Sequence, residues 1–224
     1  MASQGRIVVF VKSNGLSIAL MLFFVITQIG MSWVGYTQEN NERLQHGRTA
    51  IDYPAYLMSD SFLEATMENW ESEFLQMFAY VIFTVFLFQK GSAESKPMQD
   101  LVSVDADPRA SSDPNAPWPV RKGGLTLRLY ENSLSIVLFA LFLISFFLHA
   151  VGGAGKYSEE QLMHGGNAVS ISQYMLSAQF WFESLQNWQS EFFSIGMMVL
   201  LTIWLRQRGS PESKPVAMAH DQSP

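Results

Sequence analysis

Two polar hexapeptides, "NWESEF" from Asn69 and "NWQSEF" from Asn187, each run directly into an apolar stretch. Each carries an amide and a carboxylate four residues apart, Asn69 with Glu73 and Asn187 with Glu191, so both groups share a helix face. An ionisable side chain just inside a hydrophobic span is costly unless partnered, which makes these four residues candidates for binding an ion or a proton. Two carboxylates at close range would hold a shared proton or a cation between them. The competing reading is structural: the same groups bond to nearby loops or fix helix register, with Trp70 and Trp188 as interfacial anchors.

A second set pairs Glu42 with His46 and Glu160 with His164, again four residues apart. Two carboxylates and two imidazoles are a ligand set for zinc or another divalent metal. The same spacing also serves a local ion pair in the last turn of a helix. His149 is the one histidine inside an apolar run. With no second histidine at similar depth to complete a haem site, it predicts a hydrogen bond to a neighbouring helix. Cysteine is absent, which excludes disulfides, thiolate metal sites and thiol catalysis. No phosphate loop, nucleophile elbow, HExxH or kinase motif occurs, no cofactor is called for, and no basic stripe points to nucleic acid. A non-enzymatic protein is expected.

The elements that must position these groups are apolar. Residues 16–36 contain no charge, and residues 134–155 contain none when His149 is neutral. At about 1.5 Å per residue each covers the roughly 30 Å hydrocarbon core of a bilayer. Two shorter apolar runs, 74–88 and 192–205, complete a span only with their neighbours, and together the four predict four transmembrane helices. The first is not read as a signal peptide: no small-x-small cleavage site follows it closely, and the same pattern returns in mid-chain.

Adding 118 to any position from 14 to 97 reaches its counterpart without a gap, and 31 of the 84 pairs are identical. "NGLSI" matches "NSLSI", "ERLQHG" matches "EQLMHG", and "QKGSAESKP" matches "QRGSPESKP". Each copy holds two spans, so both enter the membrane in the same direction, as a parallel repeat. With the termini and the middle segment cytoplasmic, eleven of the fourteen Lys and Arg residues lie inside, and only Arg43, Arg48 and Lys156 lie outside. The positive-inside rule selects that orientation.

The expected organisation is a first two-helix repeat over 1–98, a flexible cytoplasmic linker over 99–124, a second repeat over 125–215 and a disordered tail over 216–224. Gly47 and Gly165 predict left-handed helix ends. The "GGAG" at 152–155, with Ser158 and Gln161 at capping-box spacing, predicts a helix that breaks and restarts. Ser59, Asp60 or Ser61, with Glu64 completing a box, and Ser177 start the return helices, which are expected to run about thirty residues to Lys90 and Arg208. Helices of that length project beyond the bilayer on its outer side.

The paired "NW-x-SEF" and "GS-x-ESKP" motifs, the "HG" turns and the linker "DPNAPWPVRKGG" resemble an uncharacterised family of bacterial integral membrane proteins, the domain-of-unknown-function family 6766. The resemblance spans nearly the whole chain. It implies a multi-pass protein of a bacterial cytoplasmic membrane and no particular chemistry. The full expectation is an all-α, four-helix transmembrane bundle of two tandem parallel hairpins, with a structural or interaction role and unknown molecular activity. Its partners are the lipid bilayer and either other proteins or further copies of itself. A small channel, transporter subunit or ion-binding protein using the paired glutamates is the alternative, and extracytoplasmic metal binding the second alternative.

Overall fold

A computed structural model describes residues 2–98 and 102–223. Residues 99–101, the start of the expected linker, and Pro224, the end of the expected tail, lie outside the described residues. The regular structure of the described residues is entirely helical, with eight α-helices and no strand. They are α1 (Ala2–Gln45), α2 (Tyr53–Leu57), α3 (Asp60–Phe86), α4 (Trp118–Lys122), α5 (Gly124–Glu131), α6 (Ser133–Met163), α7 (Ile171–Met175) and α8 (Ala178–Trp204). The segment between α3 and α4 adds two 3-10 turns, Ser103–Asp105 and Pro108–Ala110.

The bounds of α2 and α3 recur 118 residues on as those of α7 and α8. α1 is bent at Asn14, where the backbone leaves helical geometry. At the matching Asn132, α5 gives way to α6. In both places the asparagine amide donates to the carbonyl four residues back, on Phe10 at 2.8 Å and on Arg128 at 2.9 Å. A side chain that competes for its own helix's carbonyls favours such a break.

Two helices among the described residues are long and apolar enough to cross a membrane, Arg6–Gln45 and Ser133–Met163. The four expected spans reduce to these two by length and composition. α3 and α8 fall short because they stop at Phe86 and Trp204, four residues before Lys90 and Arg208, and polar hexapeptides occupy positions 69–74 and 187–192 within them. Gly91 and Gly209 are left-handed and serve the turns that follow, not the helix ends. Those turns are built from the "GS-x-ESKP" motif. Ser95 and Ser213 accept from the backbone of Gln89 and Gln207, both at 2.9 Å, while Ser92 and Ser210 accept from Glu94 and Glu212.

The chain packs as two compact units. The first joins Met1–Glu64 to Gly152–Val169. In it Asn40 holds both backbone groups of Ile51, and its counterpart Ser158 holds both of Val169. The left-handed Gly47 and Gly165 turn the chain there. α6 runs unbroken through "GGAG", so the expected restart at Ser158 does not occur. The glycines serve approach instead: a Cβ on Gly152 would lie 2.6 Å from the Glu64 amide nitrogen, and one on Gly155 would meet the Asp60 carboxylate. Among the proposed caps of α3, Ser59 accepts from Phe62, whereas Ser61 donates to Glu39 and Glu64 pairs with Lys156. No Ser61–Glu64 box forms.

The second unit joins Ala65–Val151 to Ser170–Pro224. Ser177 caps α8 by accepting from Phe180, as expected. Residues 216–223, within the expected tail, fold back on Lys214 and on the turn after α3. Lys214 is buried and donates to the carbonyls of Ala219, His220 and Gln222 at 2.9–3.2 Å, and Ser223 accepts from the Gly91 amide at 3.1 Å. A lysine ammonium has three protons, and three carbonyls satisfy it.

Candidate functional site

The most enclosed polar group of the second unit is centred on His149. It comes from α6, Glu71 from α3, Tyr174 from α7, and Glu183 and Trp188 from α8. α7 is a single turn fixed by a capping box, in which Ser170 and Gln173 satisfy each other's backbone amides. This short rigid turn sets Tyr174 against Glu183. Gln179, one turn before Glu183 on the same face of α8, also donates to that carboxylate.

His149 and Glu71 have no exposed side-chain surface, and the Glu183 side chain is 12% exposed. His149 Nδ1 lies 3.0 Å from Glu71 Oε2, and Nε2 lies 3.5 Å from Glu183 Oε2. Glu71 Oε1 accepts from Trp188 Nε1 at 3.2 Å, Glu183 Oε1 from Gln179, and Glu183 Oε2 from Tyr174 Oη. All four carboxylate oxygens therefore face donors, and both ring nitrogens face carboxylate oxygens. That pattern fits two ionised carboxylates on either side of an imidazolium, since a neutral ring presents one acceptor nitrogen. The Phe180 ring stacks on His149 with centroids 4.9 Å apart, and Phe146 packs against Phe180, Trp181 and Trp188. In so dry a setting each charge must be paired or it is strongly unfavourable. Nδ1 is engaged by Glu71, while the buried Nε2 makes no hydrogen bond of its own, its nearest carboxylate oxygen being that of Glu183 at 3.5 Å. The chemistry open to the group is proton exchange.

The residues expected at the paired hexapeptides are arranged differently. Glu73 is exposed and Glu191 half-buried, within electrostatic range of each other. α3 and α8 meet at this level, where Gln76 donates to the Glu191 carbonyl at 3.0 Å. The two asparagines do not join the glutamates. Asn69 is exposed and bonds to the Ala65 carbonyl of its own helix, and Asn187 donates to Glu68 and to the Glu183 carbonyl. Thr84 and Thr202, matched two residues before the ends of α3 and α8, bond to carbonyls three residues back, and Thr202 is further engaged by Ser92.

In the first unit, Glu42, His46, Glu160 and His164 do come to one place. They line a cavity of about 230 Å³ together with Arg43, Arg48 and Lys156. They form no ligand set: among the described residues no three His, Asp or Glu side chains stand where they could hold a metal ion. His164 Nδ1 is turned to its own helix, 2.8 Å from the Glu160 carbonyl, and Glu42 accepts from Gln38. The three cations supply the charge a metal would bring.

Sequence reasoning foresaw the inter-helix hydrogen bond of His149 and missed Glu71 and Glu183. The signal was present in the repeat, read in reverse. Glu71, His149 and Glu183 stand opposite Gln189, Met31 and Ala65, so each is an ionisable residue that the other copy lacks. No curated protein and no solved structure matches the chain. A family profile matches residues 7–224, and the chain accordingly belongs to the family described as Domain of unknown function (DUF6766).

Proposed function

We propose that this chain is a multi-pass integral membrane protein of a bacterial cytoplasmic membrane, with a structural or interaction role and no enzymatic one. The observation that carries the reading is the apolar surface of its longest helices. On α1, Leu20, Met21, Leu22, Phe23 and Ile26 are all exposed, Phe23 by 69%, and α6 exposes Val137, Phe139, Ile144 and Phe147 in the same way. A surface so extensively apolar suits hydrocarbon and would drive aggregation in water. The bilayer is thus the first partner. Other membrane proteins or further copies of this chain are the next, and nucleic acid is not one.

Four crossings, as two tandem hairpins with both termini inside, are the finer form of this reading. The helix bounds that recur at 118 residues support equal treatment of the two copies. On that basis α3 and α8, each 27 residues and so about 40 Å long, also cross and project on the outer side. The distribution of Lys and Arg supports the orientation. The absence of native cysteine makes the test direct. A single cysteine at the exposed Asp52 is labelled by an impermeant maleimide added outside intact cells, and one at the exposed Ser112 only after lysis. Labelling of both, or of Ser112→Cys alone, overturns the topology.

A further inference from the structure

We propose that Glu71, His149 and Glu183 form a buried proton-binding site that exchanges one proton with the surface through Glu183. The site lies wholly in the second unit, so it does not depend on how many helices cross the membrane.

Three observations carry this. First, every carboxylate oxygen of the pair faces a donor, and the ring stands between the two carboxylates, with Nδ1 bonded to Glu71 and the otherwise unpartnered Nε2 3.5 Å from Glu183, where an imidazolium is balanced by an anion on either side. Second, access is one-sided. Glu71 and His149 have no exposed surface, whereas Glu183 reaches it at the start of α8, where its donor Gln179 is exposed. Third, the three helices α3, α6 and α8 each supply one member, so the proton's presence bears directly on how they pack.

The charged and titratable groups facing the ring are Glu68 and Glu71 from α3, Tyr174 from α7 and Glu183 from α8. In the exchange step the Nε2–H bond of His149 breaks and its proton passes to Glu183 Oε2. Imidazolium and carboxylate become imidazole and carboxylic acid, and the acid releases the proton to water at the surface. Neutralising the ring leaves one nitrogen lone pair opposite a carboxylate oxygen, which weakens the link from α6 to its neighbours. A site open on one side alone is suited to sensing pH on that side and not to passing protons through.

The test is a histidine-labelled NMR titration of the full chain in lipid nanodiscs, from about pH 4 to about pH 10, a range that brackets ordinary imidazole titration. The chain has four histidines, and His149→Gln assigns the signal of interest. We expect one titration step for His149, with a midpoint that falls by about 1–3 pH units in Glu71→Gln and in Glu183→Gln, the effect of deleting an opposite charge at this range. A wild-type measurement guards against misfolding of the variants: carboxyl carbon signals of Glu71 and Glu183 change at the same midpoint as His149. No His149 step in the wild type, an unmoved midpoint in both variants, or carboxyl signals that ignore the His149 step would each overturn the proposal.

Discussion

The cavity of the first unit and the His149 cluster of the second use the same residue types in opposite settings. Around the cavity, Arg48 meets Glu159 at 3.0 Å with both side chains over a third exposed, and Lys156 meets the buried Glu64 while remaining 39% exposed itself. Around His149 the partners are sealed among Phe146, Phe180 and Trp188. Water screens the first set and is nearly absent from the second, so similar distances stand for different energies. Ion pairs in this molecule are to be ranked by burial rather than by length.

Substitution breaks or sharpens that ranking. The largest effect is expected at His149→Met, which installs the residue of the other copy and leaves two buried carboxylates without a cation. Removing one partner of a buried pair costs about 3–5 kcal/mol, read as a fall in unfolding free energy in a denaturant titration of the detergent-solubilised protein. Adding Glu71→Gln and Glu183→Gln to it recovers most of the loss. A cost below about 1 kcal/mol for the single change would place the cluster with ordinary surface pairs. Next comes Gly152→Ala, whose Cβ meets the Glu64 and Asp60 backbone at 2.6 and 2.9 Å. Overpacking of this kind costs about 1–3 kcal/mol, and a thermal shift assay should show a lower midpoint. The smallest effect is at Arg48→Ala. Its exposed pair with Glu159 is worth under about 1 kcal/mol and weakens further in high salt.

The helical class, the long apolar helices and many helix ends were legible because they rest on local rules. Ser177, Gly47 and Gly165 each act within one turn of the residues that reveal them. The break expected at "GGAG" failed because glycine has two uses, and only the presence of Asp60 and Glu64 across from Gly152 and Gly155 tells close approach from chain reversal. The early ends of α3 and α8 escaped notice for a similar reason: apolar residues continue to Phe88 and Leu205 after the helix has stopped, and the serines of the next turn stop it. The site was less legible still. Duplication drew the eye to matched residues, Glu73 with Glu191 and His46 with His164, whereas the buried group around His149 consists of residues that the other copy in each case does not repeat. Glu71 and Glu183 also lie more than a hundred residues apart, beyond the reach of any local spacing rule.

The C-terminal residues also bear on the order in which the molecule is made. The turn after α3 takes its backbone partner from Ser223, and Gly91 lies against the His220 carbonyl. Chains emerge from the ribosome N-terminus first, so this turn waits for a residue 132 positions further on before its hydrogen bond to Ser223 can form. The turn closes only once the segment around Ser223 has been made. An affinity tag fused after Pro224 would crowd that closing step, whereas one placed before Ala2 would leave it alone.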